Sequence, residues 1–164
     1  MTVVFLGIGS NIDREENLRA GVAALRILFG EIRVSPVFES ESVGFAGSPF
    51  YNLVVQVETS FTVGELQQQL RAIEFSHGRM PDQRKYSPRT LDIDILTFGD
   101  SVGNVDGVLL PRAEILENAF VLWPLACLAP DSVHPVEMKR YAALWEAYDK
   151  SRQKLAVVDG LRVS

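Results

Sequence analysis

Between residues 2 and 98 the hydrophobic pattern switches back and forth between a strand period and a helix period, and the order of those switches restricts the fold more than any single residue does. Residues 2–8 form a β-branched and aromatic run closed by Gly9, Ser10 and Asn11, which suit a turn. Leu18, Val22, Leu25 and Leu28 then recur at helical spacing behind acidic residues that favour a helix start, with Gly30 placed as a C-cap. Residues 31–40 and 51–59 read as two strands, joined by a connection with Gly44, Gly47 and Pro49 that is longer than a tight hairpin requires. Thr62 and Glu65 have capping-box spacing, Leu66, Leu70 and Ile73 mark an inward helix face, and Gly78 is placed to stop that helix. Residues 91–98 supply a fourth strand. The order strand, helix, strand, strand, helix, strand predicts a ferredoxin-like α/β sandwich with a mainly antiparallel sheet.

Additional C-terminal elements follow. Residues 100–107 are turn-rich, residues 120–128 form an apolar helical segment, and residues 139–150 form an amphipathic one. Trp123 and Trp145 read as packing anchors. Two apolar runs, 155–158 and 161–163, flank Asp159-Gly160 and predict a small terminal hairpin at a sheet edge or a subunit contact. A chain of 164 residues that is 47% apolar closes one sizeable core, so a single domain over 1–164 is expected.

The net charge of -5 argues against a general nucleic-acid binder, which needs a basic surface to release counterions. One cysteine, Cys127, and two histidines argue against a zinc site and exclude an internal disulfide. With no signal-like leader and no membrane-length apolar run, the expected setting is the cytoplasm.

The most informative local string is Asp92-Ile93-Asp94. Side chains alternate along a strand, so both carboxylates share a face while Leu91, Ile93 and Ile95 enter the core. Alternate Cα atoms lie about 6–7 Å apart, which lets two carboxylates converge on one or two hard cations. Aspartate is depleted from strands and paired carboxylates repel, and a magnesium site accounts for both costs. A wet face of an edge strand is the other reading. The preceding segment carries Arg79, Arg84, Lys85 and Arg89, a basic set suited to polyphosphate, with Arg84 and Lys85 on a loop able to close over a nucleotide. As isolated residues, all four also fit solvated loop charges.

The run from Ser87 through Pro88, Arg89, Thr90, Leu91, Asp92, Ile93, Asp94 and Ile95 to Leu96 resembles the Pro-Arg-Thr and paired-aspartate signature of the 6-hydroxymethyl-7,8-dihydropterin pyrophosphokinases of folate synthesis. Support comes from Gly7-Ile8-Gly9-Ser10-Asn11, from Phe50-Tyr51-Asn52, from Glu74 with Gly78-Arg79, and from Phe120-Val121-Leu122-Trp123-Pro124-Leu125. The resemblance implies transfer of diphosphate from ATP to the reduced pterin, leaving AMP. It assigns two magnesium ions to Asp92 and Asp94, and phosphate handling, with a catalytic share, to Arg79 and Arg89. Pterin-edge recognition falls to Asn52, a ring face to Phe120, and pocket walls to Phe50 and the stretch Ser40 to Val43. An amide offers both donor and acceptor and a phenyl ring offers only a face, so these residue types suit those tasks, although either is also an ordinary structural residue.

Four positions depart from the family pattern. Tyr86 stands where the pterin-covering loop often carries tryptophan, and Pro81 where an arginine is seen. Arg112 follows Pro111 where histidine is usual, and it retains a donor for nucleotide; Asn118 replaces an arginine expected near the phosphates and brings neither its charge nor its fork. These departures leave open a noncatalytic nucleotide or pterin sensor on the same fold, and transfer to a related hydroxymethyl heterocycle.

Overall fold

β1 (Thr2–Ser10) is the strand around which the molecule is assembled. In the computed structural model, which describes residues 1–40, 49–77, 91–158 and 161, it is paired antiparallel on both sides. One neighbour is β4 (Phe50–Thr59) and the other is β5 (Asp92–Phe98). β4 carries β2 (Arg33–Val34) and β3 (Phe38–Ser40) along its other side, and β8 (Leu155–Val157) extends the sheet from β3. With the β2 and β3 segments taken as one strand, the order through β5, β1 and β4 is the ferredoxin-like order expected from the sequence.

Residues 31–40 do not form one continuous strand. Pro36 has no N–H to give to the ladder, and the chain breaks there between β2 and β3. Ser35 repairs the gap: its N–H donates to the Val54 carbonyl at 2.9 Å, and its Oγ accepts the Val54 N–H at 2.9 Å. The break lets one strand follow β4 and then bend.

α1 (Arg14–Phe29) and α2 (Val63–Ser76) cover one face of the sheet. Leu18, Val22 and Leu25 of α1 and Leu66 and Leu70 of α2 are fully buried against Val4, Leu6, Ile93 and Ile95. The helix boundaries follow the expected chemistry. Gly30 has φ 78° and donates its N–H to the Arg26 carbonyl, and the Thr62 and Glu65 capping box is formed in both directions, Thr62 N–H to Glu65 Oε1 at 2.9 Å and Glu65 N–H to Thr62 Oγ1 at 3.1 Å.

The other face is covered too, by α4 (Ala119–Leu128) and α5 (Tyr141–Ala147), with the short α3 (Glu114–Glu117) leading into α4. Phe5, Val54 and Leu96 pack there with Leu122, Leu125 and Tyr141. Trp123 stacks on Trp145 with ring centroids 5.1 Å apart and lies 4.7 Å from Phe38, so both tryptophans are packing anchors. The sheet is therefore the middle of three layers rather than one of two.

The turn-rich stretch after β5 is a hairpin of β6 (Gly103–Val105) and β7 (Val108–Leu110). Asp106 and Gly107 make its turn with φ 52° and 86°, the left-handed pair that a two-residue primed turn demands. Asp106 Oδ2 accepts the Gly64 N–H at 2.9 Å and pins the hairpin to the start of α2. At the C-terminus, Leu155–Val157 joins the sheet edge beside β3, whereas the expected turn at Asp159-Gly160 and most of the second arm lie outside the described residues. No helix among the described residues is long and apolar enough to cross a membrane.

His134 is 2% exposed, and its Nδ1 accepts the N–H groups of Val136 at 3.1 Å and Glu137 at 3.0 Å. That arrangement requires neutral imidazole with its proton on Nε2. Desolvation pushes the His134 pKa below its ordinary value, with the Glu137 charge opposing. A lowered folded-state value means that the contribution is complete above the unfolded-state pKa of 6.5 and is lost as pH falls through the folded value. His134→Ala is expected to lower stability at pH 7.5 by about 1–3 kcal/mol, the cost of two orphaned N–H groups. The gap to the parent protein is expected to narrow on acidification, as read by urea denaturation at pH 7.5 and 5. A gap that stays constant or widens contradicts this role.

Candidate active site

Two cross-strand rows form the floor of a cleft of about 280 Å³. In the first, Gly9 of β1 stands between Asn52 of β4 and Asp92 of β5; in the second, Gly7 stands between Val54 and Asp94. Adjacent strands are about 4.8 Å apart, which sets Asn52 and Asp92 about 10 Å from each other across a position with no side chain. A Cβ built at Gly9 would lie 3.1 Å from Asn52 Oδ1, and one at Gly7 would lie 3.3 Å from Leu96. Glycine at both positions keeps the floor open.

β5 works as its alternation predicts. Ile93 and Ile95 are buried in the core with α1 and α2, and Asp92 and Asp94 face the cleft on the opposite side. A register shift follows: Leu6 pairs with Ile95 and Phe5 with Thr97, so Leu96 is an extra residue on β5. Its carbonyl, freed from the ladder, accepts the Arg112 N–H at 2.9 Å. The bulge thereby brings the chain after β7 back to the carboxylates. Arg112 Nη1 lies 3.8 Å from Asp94 Oδ1, and its Nε donates to Glu114 Oε2.

Glu74 braces the carboxylate strand from its open edge. It is fully buried on α2, accepts the Ile93 N–H through Oε2 at 2.7 Å, and pairs with Arg71 through Oε1. Burial raises its pKa, and the hydrogen bonds from Arg71 and Ile93 oppose the rise. The peptide it holds lies between the two aspartates.

At the other end of the floor, Asn52 is buried and donates through Nδ2 to Ser40 Oγ at 2.7 Å. Phe50 lines the same end, and Phe120 and Val121 at the start of α4 form the opposite wall. The described residues thus bring together Ser40, Phe50, Asn52, Asp92, Asp94, Arg112 and Phe120. Val43, Arg79, Arg84, Lys85, Tyr86 and Arg89 lie outside the described residues, and so do residues 41–48 of the glycine-bearing connection and the charged loop expected to close over a nucleotide. Asn118 is occupied elsewhere: its Oδ1 accepts from Gln153 Nε2 at 2.8 Å, and Gln153 Oε1 accepts the Ala119 N–H at 2.8 Å, tying the C-terminal segment to α4.

Sequence reasoning missed Glu114 and the brace made by Glu74. The signal for Glu74 is a carboxylate that continues the buried i, i+4 stripe of Leu66 and Leu70. Nothing in the sequence marked Glu114 apart from its nearness to Arg112.

The donor set fits a hard cation: two half-buried carboxylates on one face, with only oxygen to offer. Among the described residues no third His, Cys, Asp or Glu joins them in a closed ligand cluster. Asp94 is pushed up to about 7, chiefly by desolvation and then by the charge of Asp92, with Arg112 opposing. Within the pair, it is the ionised form of Asp94 that burial and the neighbouring charge disfavour.

The profile of the family described as 7,8-dihydro-6-hydroxymethylpterin-pyrophosphokinase (HPPK) matches residues 5–130. The chain belongs to that family. The 2-amino-4-hydroxy-6-hydroxymethyldihydropteridine pyrophosphokinase of Pseudomonas aeruginosa is 38% identical over 132 residues, covering 78% of this chain and 81% of that one. The protein of the same name from Bacillus subtilis is 35% identical over 128 residues, with 76% of each covered. The folic acid synthesis protein fol1 of Schizosaccharomyces pombe is 34% identical over 90% of this chain, which spans only 20% of that protein. Among solved structures, Plasmodium falciparum HPPK-DHPS superposes with a TM-score of 0.67 at 15% identity, over 92% of this chain and 46% of that one. That likeness shows the fold.

The desolvated Asp94 has a sign that can be measured without substrate. Its folded pKa is raised from 3.8, so the folded protein retains a proton that the unfolded chain releases, and stability falls as pH rises from about 4 through about 7. Asp94→Asn is expected to remove that component and to be more stable than the parent in metal-free buffer at pH 8, by on the order of 1–3 kcal/mol in urea titrations. A variant of equal or lower stability under those conditions contradicts the assigned desolvation.

Proposed function

We propose that this chain, as a single cytoplasmic pyrophosphokinase domain over 1–164, transfers the terminal diphosphate of ATP to 6-hydroxymethyl-7,8-dihydropterin, giving AMP and the pterin diphosphate for folate synthesis. The observation that carries the reading is the two-row floor. A braced amide stands at one end, paired carboxylates stand at the other, and glycine lies between them, in a chain of the HPPK family.

Asn52, held by Ser40, is the donor and acceptor for the pterin edge, and Phe50 and Phe120 provide ring faces. Asp92 and Asp94 are the carboxylates for two magnesium ions, with Arg112 beside them as a phosphate donor. Arg79, Arg84, Lys85 and Arg89 as phosphate ligands, and Val43 and Tyr86 at the pterin, enter by their match to the family pattern. Bound magnesium would screen the phosphate charge and align the reactants. In the transfer, the pterin hydroxyl oxygen forms a bond to Pβ while the bond from Pβ to the bridging oxygen of AMP breaks. A carboxylate committed to a cation is a poor proton acceptor, so neither aspartate is assigned as base and the hydroxyl proton goes to solvent.

One observation favours a second reading. Asn118 stands at a family arginine position and is engaged with Gln153 rather than facing the cleft, which weakens the grip on phosphate and suits a sensor that binds without turnover. Incubation with ATP, magnesium and the reduced pterin, with mass detection of AMP and pterin diphosphate, separates the readings. ADP as the nucleotide product contradicts diphosphate transfer, and the mass of the second product distinguishes a related heterocyclic acceptor.

Two variants sharpen the assignment. Asp94→Asn is expected to reduce turnover at saturating substrates by about a hundredfold or more and to change its magnesium dependence. Unchanged turnover in the folded variant removes Asp94 from the chemistry. Gly9→Val places a branched side chain on the cleft floor, against Asn52 Oδ1. It is expected to weaken pterin binding by at least about tenfold while nucleotide binding changes less, as read by calorimetry. Equal losses for both ligands contradict the division of the floor.

A further inference from the structure

Arg112 has a more constrained position than a phosphate ligand waiting for its substrate requires. Its backbone N–H is fixed to the carbonyl of the bulged Leu96, its Nε to Glu114, and its Nη1 stands 3.8 Å from Asp94 Oδ1. With its backbone held at Leu96 and its Nε at Glu114, the side chain keeps a permanent positive charge beside the cleft-facing carboxylate of Asp94. A divalent cation bound to Asp94 would sit about 2 Å from a carboxylate oxygen and so within several ångströms of that guanidinium. At such separations, like charges repel by at least about 1 kcal/mol even in water, and by more in a partly desolvated cleft. Among the described residues no third acidic or imidazole side chain joins Asp92 and Asp94 in a ligand cluster, so the coordination these residues offer a bare metal is limited to the two aspartates.

We propose that Arg112 is a tethered counter-cation that competes with the divalent metal for Asp94, and that the metal gains its full hold only when an anionic polyphosphate draws the guanidinium away. The inference rests on the assignment of Asp92 and Asp94 as the metal carboxylates. It gives Arg112 two effects of opposite sign. Toward the metal alone the side chain is inhibitory; toward the metal with nucleotide it is supportive. An ordinary structural or phosphate-binding arginine has no inhibitory effect to remove.

The test is a titration with Mn2+ alone, in which free ion is read by electron paramagnetic resonance, followed by titration with a nonhydrolysable ATP analogue at saturating Mn2+. Arg112→Gln and Arg112→Met are each expected to bind Mn2+ about tenfold more tightly than the parent without nucleotide, and to bind the analogue more weakly. Unchanged or weaker Mn2+ binding in these variants overturns the proposal. In the parent protein, the 15Nε signal of Arg112 is expected to shift as magnesium is added without nucleotide. A signal that stays in place while the metal binds also overturns it, and this measurement stands whether or not the variants fold. Asp94→Asn separates the underlying assignment. Retention of parental Mn2+ affinity in that variant removes the metal site itself. Loss of affinity there, with no gain on removing Arg112, rejects the competition alone.

Discussion

The structure depends on a central strand that must be apolar on one face and nearly empty on the other. Val4, Leu6 and Ile8 of β1 are buried beneath α1 and α2, and their burial fixes which way every alternate residue points. Phe5 on the opposite face closes the core beneath α4 and α5, after which Gly7 and Gly9 leave that face without side chains. A one-residue slip would place the large side chains in the cleft and the glycines in the core. The hydrophobic effect that folds the sheet therefore also locates the cleft, and the pairing of β4 and β5 to β1 places Asn52 and Asp92 at its two ends.

The carboxylates then have to be held where the sheet is weakest, on the edge strand β5. Two devices do this from opposite sides. Glu74 accepts the buried, outward-facing N–H of Ile93 on this edge strand and keeps the Asp92-Ile93-Asp94 segment extended. The Leu96 bulge interrupts the ladder, which resumes at Thr97, and its carbonyl accepts the Arg112 N–H. Both devices place charge near the paired aspartates without filling the space between them. Burial and the charge of Asp92 disfavour ionised Asp94, and the apolar packing of Ile93 and Ile95 on the far face offsets that cost.

Much of this was legible in the sequence because it is periodic. The helix stripes, the Thr62 and Glu65 cap and the facing of Asp92 and Asp94 follow from spacings of 3.6 and 2 residues. The breaks in periodicity were not legible as such. The strand expected over residues 31–40 is divided because Pro36 lacks an N–H, and its repair by Ser35 depends on a partner nineteen residues away. The bulge at Leu96 exists only relative to β1, and nothing within β5 announces it. The turn expected over residues 100–107 is an Asp-Gly hairpin at Asp106 and Gly107, whose flanking strands are only three residues long and give little alternation to detect. Asn118 was read for the charge it lacks; its hydrogen bond with Gln153 depends on a contact thirty-five residues distant.

The same distinction separates the two halves of the cleft. The Asn52 end is built on a short, buried contact, Nδ2 to Ser40 Oγ, that fixes the amide. The Asp94 end is different: its carboxylate is desolvated, repelled by Asp92 and approached by Arg112 at a distance longer than a hydrogen bond. A preformed amide presents its remaining donor and acceptor in one fixed orientation. A desolvated carboxylate between like and opposite charges is relieved instead by whatever brings compensating positive charge. Rigidity at one end and unresolved electrostatics at the other are both consequences of a glycine floor that lets two strands present their side chains to a common space without touching.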